Sequence, residues 1–313
     1  MKLDEDAAAV LAAVARQNRP PLSAGTVLEA RLRVPDPAFA QGKRLPLGSV
    51  IDSTIPGPGG DLPVRIYTPH GVGPFPAVVY FHGGGFVIGS IETADQGCRL
   101  IANEAGAVVI SVGYRLAPEY PYPSAPEDCF AAITWVSEHA AEIDVDPKRL
   151  AVAGDSAGAN LATVVTLMAR DQGGPEILHQ VLLYPNVDLT DNEYPSKSVD
   201  NAKGYMLEKP DIDWFYSHYL SDPASADEAN ASPLLAESHA ELPPATVVTA
   251  GFDPLRDEGI AYVAALQQSG TPAEHLYYPS LIHGFYWFPA AIDAARDVAA
   301  EIGHRLRTAF SDY

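Results

Sequence analysis

The stretch Leu150-Ala151-Val152-Ala153-Gly154-Asp155-Ser156-Ala157-Gly158-Ala159-Asn160-Leu161 passes from an apolar run, through a serine bracketed by glycines, into helical spacing. The run from Arg149 to Ala153 is short and β-compatible, while Leu161, Val164, Val165 and Met168 recur at the period of one helix face. The order strand, tight turn, helix places Ser156 at the turn. Gly154 and Gly158 leave room where a helix and neighbouring strands crowd it, so the serine can hold a strained backbone and project its hydroxyl. A G-x-S-x-G pattern recurs by chance in roughly one chain in ten of this length. The plain alternative is therefore an ordinary glycine turn, and only the strand–turn–helix context favours a nucleophile.

A second Gly-rich signal, His82-Gly83-Gly84-Gly85, closes the apolar run Ala77 to Phe81. Consecutive glycines after a strand present backbone N–H groups to an oxyanion. A serine hydroxyl is a weak nucleophile at neutral pH and needs a base, which in turn needs an orienting acid. Of the nine histidines, His283 follows the last strand-like run (Glu274 to Tyr278) and precedes a final helix expected from about Ala290 to Leu306. A loop there reaches the C-terminal edge of a sheet. His179 falls at a strand start, and His139, His218 and His304 read as helix-surface residues. The alternative for His283 is a half-buried loop histidine packing under Phe285 and Trp287. For the acid, Pro244 to Ala250 reads as a strand and Pro254 as a helix start, which leaves Asp253 at the strand's C-terminal end. Asp253 also reads as a helix N-cap, a role that competes for the same lone pairs. Asp257, one turn into the helix, is the rival and is expected to point away from the cleft.

With these residues in hand, the chain resembles the hormone-sensitive-lipase family of α/β-hydrolases, the bacterial family IV esterases. The resemblance rests on Tyr80-Phe81-His82-Gly83-Gly84-Gly85-Phe86, Tyr114-Arg115-Leu116-Ala117-Pro118-Glu119, Gly154-Asp155-Ser156-Ala157-Gly158, Ser232-Pro233-Leu234, Leu242-Pro243-Pro244, Asp253-Pro254-Leu255-Arg256-Asp257-Glu258-Gly259 and His283-Gly284-Phe285. These stretches keep the family's order over about residues 50 to 310. One departure is Ala159, where the family usually has a second glycine. The resemblance implies an α/β fold with a mostly parallel eight-stranded sheet, flanking helices and a helical cap. It implies Ser156 as nucleophile, His283 as general base and acid, Asp253 as orienting carboxylate, and the N–H groups of Gly84, Gly85 and Ala157 as oxyanion donors. His82 is implied to support the loop. No metal or cofactor is required, and the substrate is a short- to medium-chain uncharged carboxylic ester. Amide hydrolysis on the same triad is the alternative, and a non-catalytic small-ligand binder is a more distant one.

Composition is compatible with that expectation. The 313 residues, 47% of them apolar, can bury one large core with an extra layer. The net charge of −20 repels nucleic acid and anionic membrane surfaces. No apolar run approaches the roughly eighteen residues of a membrane span, and Asp4, Glu5 and Asp6 argue against a secretory leader. Cys98 and Cys129 read as buried free thiols, so a cytoplasmic location is expected.

Apolar runs near 77–81, 107–112, 149–153, 179–184, 244–250 and 274–278 alternate with helical segments after two early strands near 48–55 and 62–68. Two segments break the alternation. They divide the chain into an N-terminal cap segment 1–45, a first core part 46–185, a cap segment 186–222 and a second core part 223–313. Phe86, Tyr205, Met206, Leu207, Trp214 and Phe215 are the expected pocket walls, against the plainer role of gluing the cap to the sheet. The run near 274–278, as an edge strand, offers a surface for a homodimer.

Overall fold

The computed structural model describes residues 2–33 and 37–311. Within them eight strands form one sheet in the order β1-β2-β4-β3-β5-β6-β7-β8. The strands are β1 (Ser49–Gly57), β2 (Gly60–Thr68), β3 (Phe75–Phe81), β4 (Val108–Val112), β5 (Val145–Asp155), β6 (His179–Leu183), β7 (Ala245–Phe252) and β8 (Ala273–Ile282). β1 and β2 form an antiparallel hairpin, and β2 lies antiparallel to β4. Every pairing from β4 through β3 to β8 is parallel.

Parallel strands need crossovers, and the helices supply them on both faces. In chain order the helices are α1 (Glu5–Arg16), α2 (Val27–Arg31) and α3 (Pro37–Ala40) ahead of β1, then α4 (Ile91–Ala105), α5 (Ser124–Glu138), α6 (Ala157–Gln172), α7 (Lys209–Tyr219) and α8 (Arg256–Gln268) between strands, and α9 (Ala294–Ser311) after β8. On β3, Ala77, Val79 and Phe81 enter the core shared with α5, α6 and α8, while Val78 and Tyr80 enter the opposite core with α4 and α9. The period-two alternation of side chains thus feeds two apolar layers from one strand. β4 and β6 are buried along their whole length, which is why their sequences read as unbroken apolar runs.

The segments outside the alternation lie over the C-terminal end of the sheet. α1 starts where Asp4 accepts the N–H groups of Asp6 and Ala7, and it stops ahead of Pro20-Pro21. Arg31 then pins this arm to the core: its Nε donates to Val87 O at 2.9 Å, and Nη2 pairs with Glu119 at 2.7 Å. The arm meets α7 where the Ser23 N–H donates to Asp211 Oδ1 at 3.0 Å. Among the described residues no helix is long and apolar enough to cross a membrane.

Candidate active site

β3, β5, β7 and β8 all run toward the same edge, so the residues that follow them converge there. Ser156 follows β5 and opens α6. Its backbone sits at φ 54° and ψ −118°, a costly conformation for a non-glycine residue, and its N–H donates to Leu183 O at 2.9 Å. The turn tolerates no side chain on its flanks. A Cβ on Gly158 would lie 1.9 Å from Phe81 O, and one on Gly154 would lie 2.2 Å from Gly158 O.

His283 follows β8 with 7% of its surface exposed and stands between Ser156 and Asp253. Its Nε2 lies 3.0 Å from Ser156 Oγ and its Nδ1 2.9 Å from Asp253 Oδ2. A carboxylate can only accept, so Nδ1 carries the proton and Nε2 is left to accept from the serine hydroxyl. The Tyr184 ring stands edge-on to the imidazole, with centroids 4.8 Å apart. Asp253 is fully buried, and its other oxygen, Oδ1, accepts the Leu255 N–H at 2.8 Å. Its turn-capping and histidine-holding roles use different oxygens and coexist. α8 accordingly starts at Arg256, two residues later than the Pro254 expected from sequence. Asp257 is turned away: it accepts the Ser196 N–H at 2.8 Å and Arg256 Nε at 2.7 Å.

The loop after β3 lies beside Ser156 and His283 on the same cavity. Gly84 and Gly85 hold φ values of +121° and +58°, a path that suits glycine. Among the described residues neither N–H donates to another protein group. The Ala157 N–H belongs to the first turn of α6, where helix geometry leaves donors unpaired. His82 is stacked on Tyr114 with ring centroids 4.4 Å apart, and its Nδ1 lies 2.8 Å from Gly83 O. Burial pushes its pKa down to about 4, so it is a neutral prop at ordinary pH.

Ser156, His283, Gly84 and Gly85 border a cavity of about 950 Å3. Met206, Leu207 and Phe215 line it as expected from sequence, and Ile88, Ile212 and Phe288 add apolar wall. Phe86, Tyr205 and Trp214 are corrections, because none of the three lines the cavity. Phe86 is fully buried in a stack on Tyr219 at 3.9 Å, Tyr205 packs on Phe252, and Trp214 lies over His218. The helical period of α7 carries the missed signal: Ile212, Phe215 and Tyr216 share its inner face, and Trp214 falls on the outer one. The N-terminal arm also contributes more wall than sequence suggested, through Leu11, Val14 and Phe39.

Two polar residues went unrecognised. Asp155, 1% exposed, accepts from Tyr80, Gly83 and Trp287. Burial pushes its pKa up, and these donors pull against that. Asn186 donates its backbone N–H to Ser156 O at 3.3 Å and its side-chain amide to Glu258 at 2.9 Å. Neither type of role leaves a local pattern in sequence, because the partners are distant along the chain.

A family model of the α/β hydrolase fold matches residues 78–287, more than half of the chain. The carboxylic ester hydrolase LipN of Mycobacterium tuberculosis is 48% identical over 243 residues, which is 75% of this chain and 64% of LipN, just under two thirds of that relative. An arylesterase of Saccharolobus solfataricus is 39% identical over 85% of both chains. The solved structure of a hyperthermophilic esterase from Pyrobaculum calidifontis superposes with a TM-score of 0.92 at 40% identity, covering 98% of this chain and 99% of that one.

Proposed function

The chain belongs to the hormone-sensitive-lipase branch of the α/β-hydrolase fold family, and from that premise we propose that it is a serine carboxylesterase acting on short- to medium-chain uncharged esters. The observation that carries the reading is His283 held between Ser156 Oγ at 3.0 Å and Asp253 Oδ2 at 2.9 Å, beside a glycine loop with unused N–H groups.

In this account His283 Nε2 takes the Ser156 proton as Oγ attacks the ester carbonyl carbon. Asp253 holds the Nδ1–H tautomer and stabilises the imidazolium. The N–H groups of Gly84, Gly85 and Ala157 receive the oxyanion, each contributing on the order of a hundredfold in rate. Collapse breaks the C–O bond, the alcohol leaves with the proton from Nε2, and water then attacks the acyl-enzyme by the same steps in reverse. The apolar walls favour uncharged chains, and about 950 Å3 lies at the upper end of the few hundred to roughly 1,000 Å3 common for ligand pockets. Residues 1–45 and 186–222 serve as the cap over the sheet-bearing parts 46–185 and 223–313.

Hydrolysis of p-nitrophenyl esters from acetyl to lauroyl, with Ser156→Ala as control, tests the proposal. Turnover that peaks at short chains and vanishes with Ser156→Ala is expected. Matching anilides turned over at comparable rates would replace the ester by an amide, and turnover that survives Ser156→Ala would refute the assignment.

β8 stands at the sheet edge, and we assign to it a homodimer contact testable by light scattering. The buried free thiols Cys98 and Cys129 favour a reducing, cytoplasmic setting, to be checked by cell fractionation.

A further inference from the structure

Asp155 is the last residue of β5, immediately before the serine, and three donors from elsewhere in the fold converge on its carboxylate. Tyr80 OH donates to Oδ1 at 2.8 Å, the Gly83 N–H donates to the same oxygen at 2.9 Å, and Trp287 Nε1–H donates to Oδ2 at 2.7 Å. Among the described residues no Lys or Arg pairs with it, so the charge is buried without a cation. Such a charge is expensive unless hydrogen bonds repay it. Gly83 and Trp287 can only donate, so both carboxyl oxygens must accept. An asparagine would present one acceptor oxygen and set its NH2 against a donor. The site is therefore chemically specific for a carboxylate.

The origin of the donors gives the cluster its meaning. Tyr80 is near the end of β3, Gly83 immediately precedes the two glycines with unused N–H groups, and Trp287 lies four residues beyond His283. A Cβ on Gly83 would lie 2.3 Å from Asp155 Oδ2, so the loop is drawn tightly onto the carboxylate. One anchor thus ties the backbone of the nucleophile to the loop that receives the oxyanion and to the loop that carries the base.

We propose that Asp155 is a positioning residue that locks the Gly83–Gly85 loop and the His283 loop to the nucleophile turn, and so sets the geometry of the oxyanion donors. This rests on the serine-esterase reading above. Because oxyanion contacts mature only as the carbonyl becomes tetrahedral, loosening the anchor weakens the transition state more than substrate binding.

The test is steady-state kinetics on a p-nitrophenyl ester for wild type, Ser156→Ala, Asp155→Asn, Trp287→Phe, Tyr80→Phe and the pair Asp155→Asn/Trp287→Phe, each checked for folding by circular dichroism. Asp155→Asn is expected to lose kcat by roughly tenfold to a hundredfold with KM within about twofold of wild type. Trp287→Phe alone lowers kcat, yet added to Asp155→Asn it removes the donor facing the new NH2, so kcat rises from the Asp155→Asn level toward that of Trp287→Phe. A merely structural carboxylate gives no such reversal and no kcat-against-KM split. If Asp155→Asn does not fold, Tyr80→Phe carries the test, with a drop in kcat and KM unchanged. The proposal is overturned by a folded Asp155→Asn enzyme with wild-type kcat, by a loss confined to KM, by single effects that simply multiply in the pair, or by Tyr80→Phe at wild-type kcat. Ser156-independent turnover in wild type would instead sink the underlying esterase reading, so the two failures are distinguishable.

Discussion

Lys197 and Glu258 form an ion pair in the interior, 3% and 0% exposed, with Nζ 3.2 Å from Oε2. Lys197 belongs to the turn Ser196–Asp200 between β6 and α7, and Glu258 lies in the first turn of α8, just beyond Asp253. Nζ also reaches Asp188 O and Tyr216 OH at 3.3 Å, while Glu258 Oε1 accepts Asn186 Nδ2 at 2.9 Å and the Val187 N–H at 2.8 Å. Burial pushes the Glu258 carboxyl up against the pull of Lys197. Burial alone would lower the Lys197 ammonium, but Glu258 holds it above its usual range. Replacing Lys197 by Met keeps most of the stem and removes the charge, leaving a buried carboxylate with only neutral donors. Breaking a buried pair in this way costs about 3–5 kcal/mol, against a total stability of roughly 5–15 kcal/mol. At about 2–4 °C per kcal/mol, Tm should fall by roughly 6–20 °C. Glu258→Gln alone should also destabilise. The pair Lys197→Met/Glu258→Gln, which leaves no charge behind, should recover about 2 kcal/mol or more relative to the sum of the singles. Urea unfolding followed by tryptophan fluorescence measures all four states. A Lys197→Met protein within about 1 kcal/mol of wild type, or additive singles, would refute the claim that this pair holds the Ser196–Asp200 turn to α8.

The role proposed for Asp253 has an equally direct check. Asp253→Asn should lower kcat by on the order of 10⁴-fold by disturbing the imidazole tautomer, while Asp257→Asn, bound to Ser196 and Arg256, should stay within about threefold of wild type. The reverse ranking would reassign the acid. Stability should also fall in mild acid. Burial holds His82 and His179 near a pKa of about 4, below the roughly 6.5 of an unfolded histidine. Their contribution is complete above the unfolded value and is lost as pH falls from there toward the folded one. Between pH 7 and 5 each should remove about 2 kcal/mol, and His179→Gln should flatten the profile by its share. Equal urea midpoints at the two pH values would contradict this.

The parallel core was legible because each strand there carries a short apolar run, and those runs match β3 to β7 closely. Boundaries shifted where tertiary contacts take over from local pattern. β5 starts at Val145, because its first residues pair with Phe75 across a register shift, and β8 extends to Ile282 to deliver His283 directly. α9 starts at Ala294, after the turn Phe285–Trp287 and Pro289 have redirected the chain. That Ser156, Asp253 and His283 stand together was readable, because each follows a strand end. The pocket walls were not, because lining a cavity depends on which face of α7 turns inward and on where α1 lies, and both are settled by distant packing. Asp155 stood in the opening motif unread, since its three donors come from residues 80, 83 and 287.

The most direct test of the central claim is to mix the enzyme with p-nitrophenyl acetate, quench in acid within the first turnovers, and map the acylated peptide by mass spectrometry. The account predicts acetyl on Ser156, absent from Ser156→Ala and formed far more slowly in His283→Ala. Acetyl on another residue, or turnover that persists at the wild-type rate in Ser156→Ala, would contradict it.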